Sequence, residues 1–101
     1  MKKMNVIISQ VDEMIAKLSL PLSQQDMACG WRDKSKEAML KFFMTMLQDI
    51  KKKPPQIKVE YMTLARGLDA WGIEDGILAE MAYKISSDLI DYEKEHRNFF
   101  T

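Results

Sequence analysis

The chain has 101 residues, 15 Lys/Arg balanced by 15 Asp/Glu, one histidine and one cysteine. That length is one domain, with enough chain for a single core, and its 47% apolar and 30% charged fractions exclude a disordered polymer. Zero net charge excludes a global field that recruits nucleic acid or a membrane, and one cysteine excludes an internal disulfide, which fits a reducing, cytoplasmic setting.

The basic start, Met1-Lys2-Lys3-Met4-Asn5, precedes only Val6-Ile7-Ile8, too short an apolar run for a signal-peptide core. Met4 offers a second candidate start beside Met1. No stretch approaches the roughly 20 apolar residues of a membrane span.

The first helix is expected from Met4 to Ser19, with Ile7, Val11, Met14, Ile15 and Leu18 on one stripe. Leu20-Pro21-Leu22 ends it, because the residue before proline is pushed out of the helical region. Ser23-Gln24-Gln25-Asp26 has the form of a capping box and opens a short helix to Cys29, stopped by Gly30. Asp33 is expected to cap a helix from Lys34 to Lys52. Its apolar positions, among them Met39, Phe42, Phe43, Met46 and Ile50, cover more than a third of its circumference, which makes it the central helix. Lys51-Lys52-Lys53 suits its C-terminal carbonyls, and Pro54-Pro55 marks a turn.

Ile57, Tyr61, Leu64 and Leu68 then repeat at helical spacing and predict one helix from Gln56 to Trp71, against some strand propensity in Val59–Thr63. Gly67 inside it costs about 1 kcal/mol relative to alanine. A close approach by a neighbouring helix would explain that glycine. Gly72 closes the helix. The last helix is expected from Glu74 to His96 with Ile77, Met81, Ile85, Leu89 and Tyr92 inward, and Asn98-Phe99-Phe100-Thr101 is expected to fray. The pattern is all-α: an antiparallel bundle of four to five helices in a single domain spanning residues 1–101, with Leu18, Phe43, Leu47, Leu64, Leu68, Met81 and Ile85 near its centre.

Chemistry has few parts here. Cys29 and His96 stand 67 residues apart and make no evident nucleophile–base pair; Cys29 reads as a small buried apolar residue. Glu93, Glu95 and His96 share one helix end, but two ligands on a face do not make a metal site. Carboxylates such as Glu74, Asp75 and Glu80 offer no specific acid–base pair, and the four glycines fit no phosphate loop. No enzyme, cofactor or metal is expected. Lys34, Lys36, Lys41 and Lys51–Lys53 form the best basic face, interrupted by Glu37 and Asp49. A helix-turn-helix across Leu64–Ile85 would carry Glu74, Asp75 and Glu80 toward phosphates, so nucleic-acid binding is disfavoured.

Binding features remain. Residues 1–53 hold ten Lys/Arg against six Asp/Glu, and residues 54–101 hold five against nine. The two halves either pack on each other or leave an acidic surface for a basic partner. Nine methionines either fill core gaps or, with Met44 outermost, make an adaptable surface. Trp31 and Trp71 each sit at a helix boundary beside glycine, and each either seals a bundle end or anchors an interface.

The stretch from Tyr61-Met62-Thr63-Leu64-Ala65-Arg66-Gly67-Leu68-Asp69-Ala70-Trp71-Gly72-Ile73-Glu74-Asp75 through Leu78-Ala79-Glu80-Met81-Ala82-Tyr83-Lys84-Ile85 resembles small helical bacterial immunity proteins. These act against type VI secretion effectors with NAD(P)-glycohydrolase or nucleotide-pyrophosphate synthetase toxin domains. Lys36-Glu37-Ala38-Met39-Leu40-Lys41-Phe42 matches the position of that family's long middle helix, whereas the triple lysine and Gly67 depart from its pattern. The resemblance implies a cytoplasmic inhibitor without enzymatic activity, which docks on a cognate protein toxin and closes its nucleotide cleft. Asp69, Trp71, Glu74, Asp75 and Glu80 would carry that contact. The Trp71–Ala82 stretch also resembles the oligomerising part of a small phage transcription activator, which leaves a phage-type transcription regulator or nucleic-acid adaptor as the alternative function and a homo-oligomer as a further partner arrangement.

Overall fold

The structure, a computed structural model, describes residues 3–73 and 76–100, without the side chains of Ala65 and of residues 96–100. Among the described residues it is all-α, with no strand: α1 (Met4–Leu18), α2 (Gln24–Ala28), α3 (Asp33–Ile50), a 3-10 turn (Val59–Met62), α4 (Leu64–Ala70) and α5 (Ile77–Phe100). Helix α1 packs on both α3 and α5, and α5 also closes over the 3-10 turn and α4. No helix is long and apolar enough to cross a membrane.

Helix α1 follows from its stripe. Ile7, Val11, Met14 and Leu18 are all fully buried, and each such side chain contributes roughly 1.5–3 kcal/mol of burial. Ser19 ends the helix by donating its hydroxyl to the Ile15 carbonyl at 2.8 Å. The capping box forms as the sequence predicts: the Asp26 amide donates to Ser23 Oγ at 3.0 Å and the Ser23 amide to Asp26 Oδ2 at 3.2 Å. At the start of α3 the cap is not Asp33. Arg32 holds the extended capping conformation, and its amide donates to the buried Ser35 hydroxyl at 2.9 Å. The helix then buries Met39, Phe43, Met46 and Ile50. Leu47 and Met81, expected near the centre, are only partly buried, whereas Leu18, Phe43, Leu64, Leu68 and Ile85 lie in the core.

The single helix expected from Gln56 to Trp71 does not exist. Backbone angles of φ −123° and ψ 33° at Thr63 separate the 3-10 turn from the seven-residue α4. Asp49 on α3 explains the break. Tyr61 donates its hydroxyl to Asp49 Oδ2, Lys58 and Lys52 reach the same carboxylate at 3.3 and 3.1 Å, and the Gln56 amide donates to the Asp49 carbonyl at 2.9 Å. These long-range anchors hold residues 56–62 along α3, where the β-branched Val59 and Thr63 give a helix little support. The last helix starts at Ile77, not Glu74, and runs to Phe100, past the expected fraying. Ile77 is 59% exposed, and the buried face begins one residue on, with Leu78, Ala82, Ile85 and Leu89.

Candidate functional site

Both short helices end in the same way. At α2, the Gly30 amide donates to the Met27 carbonyl and the Trp31 amide to the Asp26 carbonyl, each at 3.2 Å. At α4, the Gly72 amide donates to Asp69 at 3.0 Å and the Ile73 amide to Leu68 at 2.9 Å. Each is a Schellman closure, with glycine in the left-handed region, φ 108° at Gly30 and 75° at Gly72. In this motif the residue after the glycine turns back onto the helix. Trp31 and Ile73 occupy that place, and both are buried. The residue before the glycine stays on the helix end. Trp71 occupies that place, and it is 44% exposed.

The order Gly-Trp against Trp-Gly therefore separates the two tryptophans. Trp31 seals the core, and Trp71 faces outward. That signal is present in the sequence. The two turns also clasp each other: the Gly30 backbone abuts the Gly72 carbonyl, and a Cβ at Gly76 would lie 2.9 Å from Cys29 Sγ. Cys29 is half-buried in this clasp and packs against the core.

Trp71 stands at the rim of a hollow of about 290 Å³ between α3 and α4, with Met39, Phe42, Leu64, Arg66 and Gly67 among its walls. A second hollow, of about 280 Å³, continues along α3 toward Lys41, Thr45 and Lys58. The two share Ala38, Phe42 and Glu60. Phe42 forms their common floor, packed edge-to-face on Phe43 at 5.6 Å and on Tyr61 at 5.4 Å between centroids. Tyr61 is fixed from below by Asp49. The hydroxyl that Tyr61 donates, with Lys52 and Lys58, holds the Asp49 carboxyl down at about 2, and burial beside that carboxylate pushes the Tyr61 phenol well above its ordinary range.

Of the expected contact residues, Trp71 lines this groove. Asp69 and Glu80 are exposed but are not among its walls; Glu74 and Asp75 lie outside the described residues. The groove's own charges are Lys41, Lys58 and Arg66 against Glu60; of these only Lys41 belongs to the basic face expected from the sequence. The close neighbour expected at Gly67 is absent: a Cβ there would meet nothing within 4 Å. Met44 is 50% exposed, while Met14, Met39 and Met46 fill the core. The lysine cluster is partly structural, since Lys52 pairs with Asp49 and Lys36 donates to the Leu20 carbonyl at 3.1 Å. Among the described residues no group of three or more His, Cys, Asp or Glu side chains is placed to hold a metal ion. No protein-family model, curated protein or solved structure matches the chain.

Proposed function

We propose that the protein works by binding another protein, as a cytoplasmic immunity protein that docks on a cognate secreted toxin and occludes its active site. The observation that carries this reading is Trp71, held 44% exposed beside an apolar hollow while the other tryptophan is fully buried. An indole kept half out of water on a rigid helix end is a characteristic interface anchor. Support for a toxin as the partner comes from the resemblance over residues 61–85. On this reading Asp69, Glu74, Asp75 and Glu80 pair with toxin arginines or lysines. The protein supplies no catalysis, metal or cofactor of its own, and touches neither nucleic acid nor membrane.

The regulator alternative draws less support. Helix α4 has only seven residues, and α5 carries Glu80 in its first turn, where it would repel phosphates. The test is to express the protein encoded beside this gene, measure complex formation by calorimetry, and assay the toxin in the mixture. A tight complex that silences the toxin is expected, with Trp71→Ala weakening it by about 2 kcal/mol or more, roughly thirtyfold, at unchanged helicity. A neighbouring gene without a toxin domain, or equal affinity for the variant, overturns the reading.

A further inference from the structure

Gly67 is a glycine without an internal reason. It lies inside α4, its φ is not positive, and among the described residues a Cβ there would meet no neighbouring element within 4 Å. Alanine would therefore fit and would favour the helix. Yet Gly67 lines the groove whose rim is Trp71 and whose floor is Phe42. Glycine at such a wall lets a second backbone approach closely.

We propose that this groove receives an acidic amphipathic α-helix of the partner protein, whose backbone packs against Gly67. The inference rests on the protein-binding reading and adds an acidic helix of the partner on the groove side of Trp71, distinct from the basic partner residues proposed for Asp69 and Glu80. Three observations select the occupant. The described residues offer no sheet edge to which an extended peptide could add a strand, which removes strand addition as a mode of capture. The two hollows run on from Ala38 to Thr45 along α3, seven residues, or about 10 Å, matching two turns of a docked helix. The charges are patterned: Lys41 at one end, beside Lys58 in its pair with Asp49, Arg66 at the Trp71 end, Glu60 between them. A helix with carboxylates at its ends and a neutral or basic middle complements that pattern, whereas an evenly charged phosphate chain would set one phosphate against Glu60.

The test uses the full chain labelled with 15N and a synthetic, end-blocked peptide of about 16 residues, with leucines spaced four, three and four apart and glutamates at both ends. The expected result is a shift of the Trp71 indole signal, with the buried Trp31 signal unmoved, and binding about tenfold weaker for a peptide carrying lysine in place of glutamate. Gly67→Ala should raise Tm by roughly 4 °C and yet weaken the glutamate peptide about tenfold. No Trp71 shift at about 1 mM peptide, equal binding of the lysine peptide, or unaltered affinity of Gly67→Ala overturns the proposal. A Trp71 shift produced instead by a single-stranded oligonucleotide overturns it in favour of nucleic acid. Toxin binding that is lost in Trp71→Ala but unchanged in Gly67→Ala sinks the groove while leaving the protein-binding reading intact.

Discussion

The backbone of Gly30 lies against the carbonyl oxygen of Gly72, with no room for a Cβ between them. Two helix ends far apart in sequence thus share one contact, made possible by two glycines in the left-handed region. Gly30→Ala combines an unfavourable φ with a clash against backbone that cannot rotate away. It should cost on the order of 2–4 kcal/mol, read as a fall in the urea midpoint without a change in m. A variant as stable as wild type would show that the clasp does not form.

The two tryptophans should behave oppositely. Trp31→Ala removes a fully buried ring and should cost about 3–5 kcal/mol of stability. Trp71→Ala should leave the urea midpoint within about 0.5 kcal/mol of wild type. Fluorescence provides a second check. Acrylamide should quench Trp71 in the native protein and reach Trp31 only after unfolding.

Asp49 gives the fold an acid limit. Its folded carboxyl titrates at about 2, below the ordinary 3.8, because Tyr61 donates its hydroxyl and Lys52 and Lys58 stand close. The ionised form therefore favours folding: that stabilisation is complete above pH 3.8 and is lost as the pH falls toward 2. Urea midpoints measured across this window should drop in wild type and fall less steeply in Asp49→Asn. The same slope in both would remove Asp49 from the acid response.

Tyr61 sets the alkaline counterpart. Its phenol is raised from 10.0 by burial and by the Asp49 carboxylate. A raised folded pKa contributes stability that is full below pH 10.0 and declines as the pH climbs toward the folded value. Tyr61→Phe should abolish that decline and, by freeing the 3-10 turn from α3, should loosen the groove floor at Phe42. Amide exchange over residues 58–64, faster in the variant than in wild type, is the measurement.

Much of the fold was legible where the determinants are local. The α1 stripe and the Ser23–Asp26 capping box each lie within a few turns of chain, and both formed as the pattern required. The region from Gln56 to Trp71 was not legible, because its helical spacing is overruled by Asp49, a residue on another element. Ile77 misled for a similar reason: the face that α5 buries is chosen by where α1 and α4 lie against it. At the candidate site, the exposure of Trp71 was readable from the order of Trp71 and Gly72 within a Schellman closure, whereas a local scan treats both tryptophan–glycine pairs alike. The groove beside it was invisible, since Lys41, Lys58 and Arg66 come together only when α3, the 3-10 turn and α4 are assembled.

The clasp between the two helix ends also bears on how tightly Trp71 engages anything. A surface indole on a loose loop loses conformational entropy on every encounter, and that loss is subtracted from affinity. Here the platform under the ring is immobilised when the chain folds, by a neighbour that takes no part in the contact. Loosening Gly30 or Gly76 should therefore weaken binding at Trp71 from a distance, with every surface contact left in place.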